Sequence, residues 1–351
     1  MTSTLHARDV SRAEIDAAVA AGAIDREAAD RLVAFVVQSR TKTGAADEET
    51  LRLITSFNDI FVTIGLGLFL GALSYLVSGL GSALNALIIA IAAWALAEIF
   101  TRQKRMALPS IVLLVVFAFS VLLAAVAALG GGDPWRTNLS NPGSEWPLII
   151  SGLIAAGATA LHWFRFHVPI TIAAGCAALV VTLSALAELA FPGLLTSRPS
   201  VVLIPLGLIV FALAMRFDMS DTARQTRRAD IAFWLHLLAA PLIVHPVVSE
   251  IRGGADLGIS QAIVVIALFL VLSIVALIVD RRALLVSSLA YLAYAMAALI
   301  ANVGWQSSTA AIAILAVGVV VLALSVLWKP LRAVVLMPLP EALRRRVPVA
   351  A

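Results

Sequence analysis

Three polar side chains fall on one face of a long apolar segment in the last quarter of the chain. Ser287, Tyr291 and Tyr294 are spaced at i, i+4 and i+7 within an apolar run over residues 283–301, so an α-helix would align them in one stripe. A phenol in the middle of a membrane-spanning helix needs a hydrogen-bond partner or a wet cavity. The stripe therefore predicts either hydrogen bonds that join two helices or the lining of a polar pathway.

Two histidines lie in another apolar run, residues 231–249, which also contains Pro241 and Pro246. His236 and His245 are each about 6–8 Å from the middle of that run. Because nine residues correspond to about 900° of rotation, the two rings should point to opposite faces of the helix, and they are not a ready pair of metal ligands. Each histidine is predicted either to be neutral and hydrogen-bonded to a neighbouring helix or to contact a proton or a solute.

One carboxylate also lies inside an apolar run. Glu188 is about 12 Å from the middle of the segment 168–191, so its side chain can extend to the nearer membrane surface. Ionisable groups inside membrane segments are functional candidates by default. Glu188, His236, Ser287, Tyr291 and Tyr294 are the predicted lining of a solute pathway.

Motifs for catalysis are absent from the sequence. It has no Walker loop and no HExxH, GxSxG or CxxC pattern, whose spacings would predict a phosphate, metal or nucleophile site. We therefore predict no catalytic residue, no metal and no cofactor, and an enzyme is the least favoured class. Glu98 has a local explanation, since Arg102 follows it at i+4 and can form an ion pair on the helix surface.

The elements that position these side chains are ten apolar runs. The chain has 351 residues, of which 61% are hydrophobic and 13% charged, against roughly 45–50% and ~25% in soluble domains. About 20 apolar residues in a helix cross the ~30 Å hydrocarbon core, and the spanning backbone must be helical to satisfy its polar groups. The fold class predicted is all-α, a polytopic bundle of about ten spans. The runs cover residues 58–78, 82–100, 107–129, 147–164, 168–191, 199–216, 231–249, 257–279, 283–301 and 308–328.

The loops between these runs alternate in basic content. One set, with the C-terminal tail, contains 15 Lys and Arg residues and the opposite set contains 3. Cytoplasmic loops are the basic ones, so both termini are predicted in the cytoplasm. The ratio of 22 Arg to 3 Lys is typical of a GC-rich bacterial genome, which predicts the inner membrane. The net charge of +4 resides mostly in these loops and does not indicate nucleic-acid binding, and the Asp- and Arg-rich stretch 216–230 is predicted to be a solvated connector.

A polar segment precedes the first run. A helix ending at Gly22 and a second helix beginning after Asp25, over residues 26–39, predict a small soluble helical hairpin. It is too short to bury a core of its own, so we expect it to dock on another surface. The predicted organisation is a cytoplasmic hairpin and linker over residues 1–52, a transmembrane bundle over 53–328 and a cytoplasmic basic tail over 329–351.

The junction between hairpin and first run resembles a known family. The residues concerned are Gly22-Ala-Ile-Asp-Arg-Glu-Ala-Ala-Asp-Arg-Leu32 and Asn58-Asp-Ile-Phe-Val-Thr-Ile-Gly-Leu-Gly67. They resemble an uncharacterised bacterial family of multi-pass membrane proteins with an N-terminal helical hairpin, a domain of unknown function, over roughly the first 80 residues. The resemblance implies a membrane location and no particular activity. Ten spans with both ends inside are also similar in topology to the drug/metabolite transporter superfamily, an analogy at the level of fold.

Two functions remain open on the sequence alone. The first is a transporter or permease for a small solute, with the pathway residues above as its lining. The second is a non-transporting membrane sensor or scaffold, in which the hairpin binds a cytoplasmic protein. Both require the lipid bilayer as a partner. The pair Gly67-xxx-Gly71 in the first run predicts close helix packing, within the bundle in preference to a dimer.

Overall fold

The structure, a computed structural model, describes residues 12–43 and 57–340, apart from 135, 138–140, 142, 223, 225, 254–257 and 303–308. Residues 44–56, which include most of the predicted linker, and the end of the predicted tail lie outside this part. The chain divides into two compact units, within residues 1–50 and within residues 51–350.

The first unit is a pair of helices, α1 (Arg12–Ala20) and α2 (Arg26–Thr43). Gly22 follows α1 with φ +69°, and the amide of Ala23 donates to the carbonyl of Ala18 at 3.0 Å, which is the closing bond of a glycine-ended helix. Asp25 accepts a 2.6 Å hydrogen bond from the Ala28 amide and caps the start of α2. The predicted end of α1 and start of α2 are therefore confirmed, while α2 extends beyond the predicted Ser39.

The second unit consists of helices, and no strand occurs among its described residues. Ten of its helices are long and apolar enough to cross a membrane, which confirms an all-α polytopic bundle. The helices are α3 (Phe57–Leu76), α4 (Ser82–Ala97), α5 (Ala107–Leu129), α6 (Glu145–Phe166), α7 (Ile170–Ala190), α8 (Leu194–Ser197, short), α9 (Pro199–Ser220), α10 (Arg227–Arg252), α11 (Ile259–Val279), α12 (Ala283–Asn302) and α13 (Thr309–Leu336).

Helices that follow one another in the chain pack in pairs. The closest pairs are α4 with α5, α6 with α7, α9 with α10 and α11 with α12, as short connections favour. Helix α10 is the most enclosed, since half of its apolar window is buried, whereas α13 and α3 have 11% and 17% buried. It contacts α7, α9, α11 and α12, so side chains on α10 can meet groups from several directions.

The connections after α4, α6, α9 and α11 and the end of α13 lie at one end of this bundle, which we call the basic end. It contains most of the arginines outside the hairpin, and ion pairs join its parts. Arg165 of α6 binds the Glu98 carboxylate at 2.7 and 2.9 Å, and Arg102 binds it at 3.3 Å. The predicted i,i+4 pair of Glu98 therefore exists, with Arg165 as a second partner.

Several helices extend beyond their predicted ends. Helix α9 continues to Ser220 and α10 begins at Arg227, so the predicted connector 216–230 is helical at both ends and only residues 221–226 lie between the two helices. Helix α13 passes through Pro330 to Leu336, and residues 329–336 of the predicted tail are a helical continuation. After Ala97, α4 ends in a π-helical segment, Glu98–Gln103.

The small-residue pair of α3 does not pack as predicted. A Cβ atom added at Gly67 or Gly71 would meet nothing within 4 Å. Within the described bundle, that face of α3 is open. The close glycine contacts lie elsewhere: a Cβ at Gly152 would be 2.3 Å from the Thr182 hydroxyl, because α6 and α7 approach closely at this level.

Candidate functional site

The predicted tyrosine stripe of α12 faces α10. The hydroxyl of Tyr291 is hydrogen-bonded to Nδ1 of His245, and the guanidinium of Arg252 lies 5.1 Å from the ring centre of Tyr294. Both rings also pack against a buried apolar cluster that includes Val244. The stripe therefore joins two helices through polar contacts, and the side chain of Ser287 lies outside the described residues.

His236 lies on the same helix but has a different partner. Its ring is fully buried, and Nε2 is 2.8 Å from Oδ2 of Asp218, near the end of α9. His245, nine residues later, is exposed on α10, so the two histidines face different surroundings, as their spacing predicts. The structure thus does not bring His236 to the tyrosines; it places His236 in a separate cluster nearer the basic end.

That cluster is completed by an arginine from the turn between α11 and α12. Arg281 donates to Oδ1 of Asp218 through Nη2 at 2.5 Å and through Nε at 3.2 Å. Its Nη2 also donates to the carbonyl of Ala229 at 3.0 Å. Asp218 and Arg281 are each only 2% exposed. We call Asp218, His236 and Arg281 the buried triad.

The hydrogen-bond pattern of the buried triad indicates which nitrogen of His236 carries the hydrogen. An ionised carboxylate only accepts hydrogen bonds, so Nε2 of His236 carries the hydrogen that points to Asp218. Nδ1 of His236 is buried and has no partner among the described residues. With a neutral imidazole the triad has no net charge, and with a proton on Nδ1 its net charge is +1.

A second set of ionic contacts adjoins the triad at the basic end. Asp280, which ends α11 with φ +58°, accepts hydrogen bonds from Arg224 at 3.0 Å and from the indole of Trp328 at 2.7 Å. Arg332 donates to the carbonyl of Leu277 at 3.1 Å. These contacts fasten the end of α13 and the loop before α10 to the turn between α11 and α12.

Asp218 was missed at the sequence level, where residues 216–230 are predicted to be a solvated connector. This prediction is wrong for Asp218, because α9 continues for one more turn and carries it into the bundle. The buried residues of α9 are Gly207, Val210, Ala214 and Asp218, at i, i+3, i+7 and i+11. This helical period extends the apolar face of the span into the charged stretch, and it is the signal that would have identified Asp218.

Glu188 is separate from both clusters. It is 5% exposed and accepts hydrogen bonds from the amides of Gly193 and Leu195 at 2.5 and 2.8 Å. Both amides belong to the turn that opens the short helix α8, so the carboxylate satisfies backbone donors there. Its contacts fasten the connection between α7 and α9 at the end of the bundle remote from the basic end.

Comparison of the chain with known proteins does not assign it to a family. No protein family, no curated protein and no solved structure matches this chain, and the family resemblance of the first 80 residues stays a prediction. The described residues include no group of three or more His, Cys, Asp or Glu side chains that could hold a metal ion. The chemistry on which a function can be argued is therefore the buried triad and the polar contacts between α10 and α12.

Proposed function

We propose that this chain is a multi-pass membrane transport protein for a small solute and that the buried triad binds a proton during transport. The observation that carries the proposal is the triad itself: an acid, an imidazole and a guanidinium, each at most 2% exposed, at the ends of spanning helices, with a nitrogen that has no partner among the described residues. Such groups are costly in a membrane and are usually found along ion or proton routes.

A purely structural role explains the triad less well. Buried ion pairs are weak contributors to stability, because desolvation offsets most of the attraction. Apolar side chains of the same size would hold α9, α10 and the turn before α12 together at least as well. Protonation of His236, in contrast, changes the net charge from zero to +1 inside the bundle, which is the change that couples a proton to a conformational equilibrium.

Polar groups also occur farther along α10. His245 is about 13 Å above His236 along the helix axis, and it contacts Tyr291. Tyr294 and Arg252 follow toward the end remote from the basic end. Tyr291 and Tyr294 thus remain candidates for a pathway between α10 and α12. His236 faces Asp218 of α9 instead, and Glu188 lies apart from both.

The orientation belongs to the same proposal. The basic end is placed in the cytoplasm, because basic residues are retained on that side during insertion. Both termini are then cytoplasmic, in the inner membrane of a bacterium. The triad would open toward the cytoplasm, and the pathway would begin at the opposite surface.

Transport is tested in proteoliposomes that contain the full chain and an internal pH-sensitive dye. A panel of amino acids, sugars, nucleosides and organic acids is applied outside, and solute uptake and internal pH are followed together. We expect one class of solute to enter with protons and His236→Gln to uncouple the two, since glutamine keeps a donor for Asp218 but binds no proton. The control is His167→Gln, because His167 is exposed in the turn between α6 and α7. Unchanged coupling in His236→Gln would refute the role of the triad.

The alternative function is a sensor or scaffold that acts through the hairpin. It is favoured by the separate compact unit within residues 1–50 and by Leu32, a large apolar side chain on α2 that is 44% exposed. In this case a cytoplasmic protein would bind the hairpin. Affinity capture with the full chain and with a chain lacking residues 1–50 tests it, and identical captured proteins would count against it.

A further inference from the structure

A polar cleft lies at the end of the bundle remote from the basic end, where α3, α4 and α5 meet. Its volume is about 220 Å³, and its polar lining consists of Ser74, Ser82, Asn85 and Ser120. None of its lining residues is charged. Ser120 is nine residues before the end of α5, so the cleft extends about 13 Å along the spanning helices. It is remote in the chain from the buried triad and from the tyrosine stripe.

One wall of the cleft is held by reciprocal hydrogen bonds. The hydroxyl of Ser74 donates to Oδ1 of Asn85 at 3.0 Å, and Nδ2 of Asn85 donates to the carbonyl of Ser74 at 2.8 Å. A carboxamide has two donor hydrogens and two acceptor positions, so Asn85 retains one of each. The pair fixes the amide in place and leaves it able to bind another molecule.

Ser120 is the unusual group in the lining. It is 7% exposed, and no hydrogen bond with any described residue involves its hydroxyl. The hydroxyls of two other buried serines, Ser110 and Ser273, bond to the carbonyl four residues earlier. Those of Ser151 and Ser184 have no partner among the described residues. The Ser120 hydroxyl borders the cleft, so a molecule that enters the cleft can hydrogen-bond to it.

From this lining we propose that the cleft binds a small neutral molecule rich in hydroxyl groups, either a free polyol or the headgroup of an uncharged glycolipid. Hydroxyl groups can both donate and accept, as the three serines and the remaining positions of Asn85 require. An anion or a cation would have no opposite charge in the lining. A lipid acyl chain would leave the Ser120 hydroxyl unsatisfied.

The volume limits the ligand. Sites for drug-sized molecules are about 300–1,000 Å³, so a cleft of about 220 Å³ takes a smaller molecule. It would hold about seven waters at ~30 Å³ each. Release of those waters, together with hydrogen bonds from the ligand to polar side chains on different helices, would favour the binding of a compact polyol. The proposal does not depend on transport, because none of the cleft residues belongs to the triad or to the α10–α12 contacts.

Binding is measured on the full chain in nanodiscs. In the first arm, saturation-transfer NMR detects myo-inositol and glycerol as free probes. In the second arm, the nanodiscs contain monoglucosyl-diacylglycerol, and native mass spectrometry counts the bound lipid. We expect saturable binding in at least one arm, and the arm identifies the source of the hydroxyl groups. Ser120→Ala should weaken that binding about three- to tenfold, the effect of one lost hydrogen bond.

Ser110→Ala is the matched control. Ser110 is on the same helix and 6% exposed, but its hydroxyl bonds within α5 and it is not part of the lining, so binding should not change. Ser82→Trp, at the exposed first residue of α4, fills the mouth of the cleft and should abolish binding while the protein stays folded. The proposal is overturned if neither arm shows saturable binding or if Ser120→Ala and Ser110→Ala bind alike.

Discussion

Removal of the charge of Asp218 should destabilise the bundle strongly. Asp218→Asn is isosteric, yet it removes the carboxylate that the guanidinium of Arg281 hydrogen-bonds. Arg281 is only 2% exposed, and its other hydrogen-bond partner among the described residues is the neutral carbonyl of Ala229. Asparagine also places an NH₂ group toward one of two donors, Nε2 of His236 and the guanidinium. Breaking a buried pair from one side costs about 3–5 kcal/mol. We expect a loss of that size in the free energy of unfolding.

The second half of the prediction concerns the double variant Asp218→Leu/Arg281→Met. When both charges are replaced by apolar groups, neither charge of the Asp218–Arg281 pair remains, and such replacements are often neutral or stabilising. The double variant should therefore lose less free energy than Asp218→Asn alone. The coupling between the two positions should be at least about 2 kcal/mol, although they are separated by 63 residues in the chain.

The assay is reversible unfolding of the purified chain in mixed dodecylmaltoside–SDS micelles, followed by the fluorescence of its seven tryptophans. Arg102→Gln is the control, because the Arg102 side chain is 55% exposed and surface pairs contribute little; its midpoint should equal that of the parent. A loss below about 1 kcal/mol for Asp218→Asn, or strictly additive effects in the double variant, would refute the account of the triad as a desolvated ionic cluster.

Three further outcomes are expected from the packing and the caps. Gly152→Ala should lower the free energy of unfolding by about 1–3 kcal/mol, because its Cβ would be 2.3 Å from a threonine hydroxyl and overpacking strains the helix pair. Gly71→Ala, in open space, is the control and should be neutral or stabilise by up to about 1 kcal/mol. Both values are measured from the same SDS midpoints. Glu188→Gln should lower the free energy of unfolding by about 1–2 kcal/mol, since a neutral amide accepts the two backbone bonds at the start of α8 more weakly. Hydrogen exchange of those two backbone amides should accelerate. Equal exchange in the variant and the parent would count against the cap. Asp25→Ala should lower the stability of the hairpin by about 1 kcal/mol and accelerate hydrogen exchange of the Ala28 amide. Unchanged exchange would show that the 2.6 Å bond does not stabilise the start of α2.

The spans were predictable because each depends on a local property, a run of apolar residues of sufficient length. The helical period alone predicts that Tyr291 and Tyr294 share one face of α12. The partners of these side chains did not follow, since the histidine that meets Tyr291 is His245 and not His236. Which of two histidines nine residues apart meets α12 depends on how α10 is rotated against its four neighbours, and no local rule sets that rotation.

The ends of the spans were less predictable than their centres, and the candidate site lies at such ends. Asp218 and Arg281 are in stretches that hydropathy assigns to water, because a window average falls at the first charges. Their burial results from mutual pairing, which links α9 to the turn after α11 over 63 residues. A local sequence pattern does not reveal that Asp218 pairs with Arg281. It does indicate that Asp218 is buried, because the helical spacing of Gly207, Val210 and Ala214 continues to Asp218.

The same separation has a consequence for synthesis of the protein. At about 5–20 residues per second, the ribosome adds the 63 residues between Asp218 and Arg281 in about 3–12 seconds. During that interval Asp218 and α9 have already been synthesised, and His236, only 18 residues later, is the first of the two triad partners to be added. Until Arg281 has been synthesised, His236 is the only one of these two partners that can bind the Asp218 carboxylate. A nascent chain that stops before residue 281 contains Asp218 and His236 but lacks the guanidinium that binds the carboxylate in the complete bundle.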